Sequence, residues 1–232
     1  MNKVTKLIKC LLSPEFYNSY FYGVSPLFEL TPLIKQISHA KTLIDVGSNK
    51  GQFSLLARKF FPNIKIHSFE SQVDILNMQK KVLGTKNINY YNFTLGSEEK
   101  EAELYVTKRK DSSSVLKPIL TKNRNYITNE IKKTSIKRLD ELPNIKNIER
   151  PSVMKLDVQG YEFEVLKGAE NILDYIDYVI TEVSFIEVYE NQTSANKLIK
   201  FLKSKSFKIK DKCNLSKIEG KLFQEDILFF KS

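Results

Sequence analysis

The chain has 232 residues, 41% of them hydrophobic and 28% charged, with a formal net charge of +10. That length suits one domain with a full hydrophobic core, and its longest apolar runs are too short to cross a bilayer. The two cysteines, Cys10 and Cys213, are far apart in sequence, which excludes a disulfide framework or metal knuckle and favours a reducing, cytoplasmic setting.

Residues 1–38 form an N-terminal segment rich in aromatics (Phe16, Tyr17, Tyr20, Phe21, Tyr22) and punctuated by Pro26 and Pro32. Short helices packed on the core or over a ligand mouth are expected there. A basic amphipathic helix over residues 3–12 fits core packing better than membrane contact. That stretch has no small-residue cleavage site, so no signal peptide is expected.

From Thr42 onward, strand-like and helix-like runs alternate, as a doubly wound α/β sheet requires. Strands are expected near 42–46, 64–69, 88–93, 152–157, 178–183, 206–211 and 226–230. Helices are expected near 53–61, 72–84, 161–171 and 194–205. An insertion over about 97–140 has room for a hairpin strand or two. Residues 39–232 therefore read as one domain.

The first strand ends in Asp45-Val46-Gly47-Ser48-Asn49-Lys50-Gly51, followed by a helical run from Phe53. The next apolar run closes on Glu70. A strand, a glycine turn, a helix and an acid ending the next strand form a pocket for an adenosine-bearing cofactor. The carboxylate of Glu70 suits two ribose hydroxyls, and Ser71 could cap the following helix, with Asp74 three residues on. The middle glycine of the dinucleotide fingerprint is replaced by Asn49, which suits a ligand without phosphate. Asp45 suits one with a cationic amine. S-adenosylmethionine has both properties. A nicotinamide cofactor and a βα turn that binds nothing are the alternatives.

The insertion carries Lys108, Arg109, Lys110, Lys117, Lys122 and Arg124 around Ser112, Ser113 and Ser114. Folded over the cofactor, it would be a lid; otherwise it is a solvated loop. The overall charge fits three readings: attraction to an anionic acceptor, peripheral contact with an anionic membrane, or a solvated surface with no partner.

Residues 152–168 hold the second cluster. Lys155 and Asp157 lie two apart on an apolar strand and so face one side. Gly160 then turns the chain into a helix. Glu182 lies near the end of the next strand. Charges in central strands are costly unless paired. If the strands are neighbours, these three converge at the sheet edge where ligands of open α/β sheets bind. A buried ion pair fixing strand register is the plain alternative. His39 and His67 are isolated, and no His-rich or paired-Asp signature suggests a metal.

With both clusters in view, the chain resembles the FkbM family of S-adenosylmethionine-dependent methyltransferases over residues 40–190. The matching pieces are Asp45 to Phe53 in order, Phe69-Glu70, Asn92, Leu95-Gly96, the run 101–106, and Ser112-Ser113-Ser114. Further on they are Leu139-Asp140, Lys155-Leu156-Asp157-Val158-Gln159-Gly160-Tyr161-Glu162, Val165-Leu166-Lys167-Gly168-Ala169 and Glu182-Val183. Two positions depart from the pattern: Ser71 stands where the family has proline, and Thr94 where it commonly has alanine.

The resemblance implies a Rossmann-like, mostly parallel sheet of about seven strands with an antiparallel last strand, the class I methyltransferase fold. It implies O-methyl transfer to a hydroxyl of a sugar, glycan, lipid or natural product. Asp45, Gly47, Ser48, Asn49, Gly51 and Phe53 then belong to the methionine side, Glu70 and Ser71 to the ribose, and Thr94 and Leu95 to the adenine. Asp157 lies beside the methyl group as amine holder or base, with Lys155 and Glu182 orienting it or binding the acceptor. The alternatives are RNA ribose methylation, for which the chain shows no RNA-binding module, and a non-catalytic S-adenosylmethionine-binding protein.

Overall fold

The computed structural model of the chain describes residues 5, 6, 8, 10, 13, 16–119, 123–145 and 147–232. Most of the helix expected over 3–12 therefore lies outside the described residues, as does Lys122. Of that helix, residues 5, 6, 8 and 10 are described and helical.

The order of elements follows the alternation in the sequence. Two short helices come first, α1 (Tyr17–Phe21) and α2 (Thr31–Ile34), then β1 (Thr42–Val46), α3 (Gln52–Phe60), β2 (Lys65–Phe69), α4 (Val73–Leu83) and β3 (Ile88–Tyr91). The insertion gives β4 (Thr94–Leu95), β5 (Lys100–Thr107) and β6 (Thr128–Lys137). The chain then runs β7 (Ser152–Leu156), α5 (Glu162–Gly168), β8 (Tyr178–Ser184), α6 (Ala195–Ser204), β9 (Phe207–Ile218) and β10 (Lys221–Lys231).

Seven strands form one sheet in the order β3-β2-β1-β7-β8-β10-β9, and β10 alone runs against the rest. This is the Rossmann-like class I fold that the resemblance implies. The insertion makes a separate three-stranded sheet in the order β4-β6-β5.

Alternation along the central strands divides the core. Ile44, Val46, Met154 and Leu156 join a cluster with α5, α6 and the small sheet. Leu43 and Val153 face the other side, where α3, α4 and the N-terminal segment pack. Asp45 and Lys155 are paired in register between β1 and β7, and the period of two puts them on this second face. Phe16, Phe28, Leu33 and Ile34 anchor the N-terminal segment in that core, whereas Tyr17, Tyr20, Phe21 and Tyr22 are exposed.

Two elements differ from expectation. The helix expected over 161–171 stops at Gly168, where a Cβ would lie 1.8 Å from the Gly96 carbonyl oxygen. The helix end is thus pressed onto the small sheet. Asp140 then accepts the N–H groups of Asn171 and Ile172 at 3.2 and 3.1 Å, starting a separate 3-10 turn over Ile172–Tyr175. The last two strands are also longer than expected. Their polar, lysine-rich alternation reads as loop but is that of an edge hairpin, closed by Glu219 and Gly220 at φ of 50° and 77°.

Candidate active site

The loop after β1 is held by the end of β2. Gly47 has φ of +71°, and a Cβ there would lie 2.0 Å from the Asp157 carbonyl oxygen. The glycine thus makes room for the Asp157 carbonyl, just past the end of β7, while also lining both cavities beside the loop. The N–H groups of Gly47 and Ser48 donate to the Phe69 carbonyl at 3.1 and 3.0 Å. Asn49, at φ of 49°, donates its N–H to Glu70 Oε2 at 3.0 Å.

Glu70 Oε1 accepts the Gln72 N–H at 2.8 Å, so one carboxylate ties the loop to the start of α4. Burial pushes Glu70 up to about 7, against the pull of those two N–H donors. Ser71 does not cap α4. The helix starts at Val73, its N-cap is Gln72 without a side-chain bond, and Asp74 pairs with Lys110. Instead, Asn92 Nδ2 donates to the carbonyls of Glu70 and Ser71 at 2.8 and 3.0 Å and fixes the turn.

Two cavities flank this loop. The first is a cleft of about 70 Å³ between Glu70, Ser71 and Gln72 on one side and Phe93, Thr94 and Leu95 on the other. Residues of the 110–115 segment cover it. Ser114 Oγ donates to the Gln159 carbonyl at 2.8 Å, and Tyr189 donates its hydroxyl proton to the Ser112 carbonyl at 2.8 Å, so the serine triplet pins that cover. Thr94 Oγ1 lies 3.3 Å from Thr134 Oγ1 on β6. Gln72 Oε1 is buried without a partner among the described residues.

The second cavity, about 390 Å³, opens on the α3 side of the sheet edge. Gly47, Asn49, Asp111, Asp157 and Gln159 line both cavities and mark their junction.

In the second cavity Lys155 and Glu182 join Asp157 on one wall, because β7 and β8 are parallel neighbours. Lys155 Nζ donates to Asp157 Oδ2 at 2.9 Å, and Gln159 Nε2 to Oδ1 at 2.7 Å. Burial alone would lower the Lys155 pKa, but Asp157 and Asp45 outweigh it and the net shift is upward. Glu182 Oε1 accepts from Gln224 Nε2 at 2.7 Å. Burial first, then Asp157, Asp226 and Glu162, raise Glu182 well above the usual carboxylate range.

Two residues read from the sequence as pocket-forming lie behind the walls. Asp45 is fully buried, accepts the Ser54 hydroxyl at 2.6 Å and lines neither cavity. Its influence on the site runs through Lys155. Gly51 lines neither cavity; a Cβ there would meet Leu83 at 2.6 Å, so it serves the packing of α3 on α4. Ser48 and Phe53 line the second cavity, not the first.

Sequence reasoning missed Gln72, Phe93, Asn214, Gln224 and Asp226. Asp226 carried a signal: it is an acid opening the apolar strand run Ile227-Leu228-Phe229-Phe230, the same anomaly that marked Lys155. Among the described residues no group of three His, Cys, Asp or Glu side chains is placed to hold a metal ion, and no helix is long and apolar enough to cross a membrane.

The residues present fit S-adenosylmethionine. Glu70 keeps free lone pairs for ribose hydroxyls, Phe93 and Leu95 supply apolar walls, and the orphaned Gln72 oxygen can accept from an amino group. A seven-stranded sheet with one reversed strand, an acid closing β2 and a site at the C-terminal edge define a class I, Rossmann-like methyltransferase fold.

Solved structures agree on the fold. TehB from Haemophilus influenzae aligns with a TM-score of 0.54 at 10% identity, covering 94% of this chain and 66% of that one. The 1,6-didemethyltoxoflavin-N1-methyltransferase of Burkholderia thailandensis, solved with S-adenosylhomocysteine and 1,6-didemethyltoxoflavin, aligns at 0.52 and 8% identity, covering 89% and 77%.

Residues 45–209 match the methyltransferase FkbM domain, and the chain belongs to that family. It is 46% identical over 44 residues to the hexuronic acid methyltransferase AglP of Haloferax volcanii, covering 19% of this chain and 18% of that protein. It is 25% identical over 159 residues to methyltransferase 1 of Beauveria bassiana, covering 61% and 64%. The chain thus spans less than two thirds of either relative.

Proposed function

We propose that this chain transfers a methyl group from S-adenosylmethionine to a hydroxyl of a small-molecule or glycan acceptor, with the cofactor in the cleft beside Glu70 and the acceptor in the larger cavity. The observation that carries this reading is the meeting of the two cavities at Asp157. The family, and the 44-residue match to another methyltransferase, support the transfer. The two free cysteines fit a cytoplasmic setting.

When bound, the sulfonium supplies a methyl group already attached to a good leaving group. What the protein adds is alignment, which in favourable cases lowers a barrier by roughly 7–11 kcal/mol. Glu70 accepts hydrogen bonds from the ribose. Asp157 accepts the proton of the acceptor hydroxyl, and Lys155 and Gln159 hold its carboxylate in one orientation. Tyr126 and Phe53 give the acceptor cavity its apolar faces. The polar remainder suits a ligand rich in hydroxyls.

The test is transfer of labelled methyl to separate pools of nucleotide sugars, glycans, lipids and RNA. Label in a hydroxyl-bearing sugar, glycan or lipid is the expected result, and label confined to RNA contradicts it. With the acceptor in hand, Asp157→Asn should bind S-adenosylhomocysteine within a few-fold of the parent and lose about 10²- to 10⁴-fold in turnover. Full activity in that variant would remove Asp157 as the base.

A further inference from the structure

The wall of the larger cavity contrasts with the molecule around it. The chain carries a net charge of +10. Yet five carboxylates line this cavity (Glu29, Asp111, Asp157, Glu182, Asp226), against Lys6, Arg109 and Lys155. Each cation is already bonded to one carboxylate: Lys6 to Glu29 at 2.6 Å, Arg109 to Asp111 at 2.8 Å, Lys155 to Asp157 at 2.9 Å. Glu182 and Asp226 make no ion pair among the described residues.

These two are direct cross-strand partners on β8 and β10. Their side-chain partners are amides. Gln224 Nε2 donates to Glu182 at 2.7 Å, and Asn214 Nδ2 donates to Asp226 Oδ2 at 2.7 Å. Burial pushes Asp226 up to about 6, with Asn214 opposing, so it is ionised at neutral pH. Asn214, Gln224 and Asp226 all lie beyond residue 209, outside the family match. The hairpin β9–β10 therefore gives the larger cavity a wall that lies beyond the matched residues.

We propose that Glu182 and Asp226, with the hairpin amides Asn214 and Gln224, determine specificity in the acceptor cavity: they hydrogen-bond the hydroxyls of an uncharged polyol ring, and the Asp226 carboxylate rejects a ring bearing a carboxylate or phosphate. The inference rests on the methyl-transfer reading of the site. Carboxylates accept hydroxyl protons at close range, and each such charge-assisted bond is about twice as strong as a neutral one. The Asp226 carboxylate repels an anionic group placed against it, and like-charge juxtaposition is a strong means of rejection. Arg109 and Lys155 lie within electrostatic range of Glu182, but their bonds go to Asp111 and Asp157. The basic surface then attracts the remainder of a larger acceptor without binding the reacting ring.

The test is a nuclear magnetic resonance titration of the full chain, saturated with S-adenosylhomocysteine, with methyl α-glucoside and, separately, its 6-carboxylate analogue, the methyl glucuronide. The neutral glycoside should move the side-chain amide signals of Asn214 and Gln224 and bind about tenfold or more tightly than the glucuronide. In the Glu182→Gln/Asp226→Asn double variant that preference should shrink to about threefold or less. Hairpin amide signals unmoved by either glycoside, or a glucuronide that binds as well as the glucoside, would overturn the inference. The cofactor step separates the two readings. If S-adenosylhomocysteine fails to shift the backbone signals of Asn49 and Gln72, the methyl-transfer reading fails; if it shifts them and the hairpin stays silent, only the specificity inference fails.

Discussion

The narrow cleft and the wider cavity share a border but are built differently. Every residue lining the cleft lies between Val46 and Tyr161, inside the matched domain. The wider cavity also draws Lys6, Leu27, Glu29 and Leu30 from before that domain, and Asn214, Ser216, Gln224 and Asp226 from after it. The cleft, proposed for the cofactor, thus lies wholly within the matched domain and is held by backbone and one carboxylate. The wider cavity, proposed for the acceptor, also draws on residues before and after the match.

The largest effect should come from the residue that lets the two regions meet. Gly47→Ala sets a Cβ against the Asp157 carbonyl in a left-handed backbone conformation and should cost about 3–5 kcal/mol in urea unfolding. A loss under about 1 kcal/mol would mean that the loop and β7 are not in contact as described.

Next in size is a separation of roles. Glu70→Ala should weaken S-adenosylhomocysteine binding by roughly 10- to 100-fold in calorimetry, the loss expected for hydrogen bonds to a charged group. Asp226→Ala should change it by no more than about threefold, since Asp226 does not line the cleft. Equal losses in both variants would erase the distinction between the regions. A flat titration of the parent chain would contradict both the methyl-transfer reading and a non-catalytic protein that binds S-adenosylmethionine.

Much of the cleft was legible in the sequence because its parts are local. Gly47 and Asn49 fall within one turn, and Glu70 closes the following strand. What was not legible was which side each residue serves. The space beside Gly47 is filled by β7, and Asp45 acts from behind Lys155; both depend on the β1–β7 register, which pattern reading does not give. The acceptor wall was less legible still. Asp226 faces Glu182 only because β10 inserts, reversed, between β8 and β9, and Lys6 and Glu29 reach the cavity only through the packing of the N-terminal segment. The reversed last strand came from the resemblance, while the polar alternation of β9 hid the length of the hairpin.

A smaller effect tests the electrostatics of both regions together. Burial raises Glu70 and Glu162 to about 7 and Asp226 to about 6. A carboxyl raised in the folded state stabilises most below its unfolded value, and that stability is lost as pH rises through the folded value. The chain should therefore lose about 1–3 kcal/mol between pH 5 and pH 8, seen as a melting temperature falling by about 2–4 °C for each kcal/mol. Glu162 Oε1 accepts the N–H groups of Val158 and Gly160 at 3.0 and 3.2 Å, bonds that a glutamine oxygen can keep. Glu162→Gln should accordingly flatten the profile without unfolding the protein. A melting temperature that rises over the same range would contradict the burial of these acids.

The most direct measurement is a crystal structure with S-adenosylhomocysteine. The account predicts the ribose on Glu70, the base between Phe93 and the 110–115 segment, and the sulfur at the border lined by Gly47, Asn49 and Asp157. A nucleoside seated in the wider cavity, or a sulfur turned away from Asp157, would contradict it.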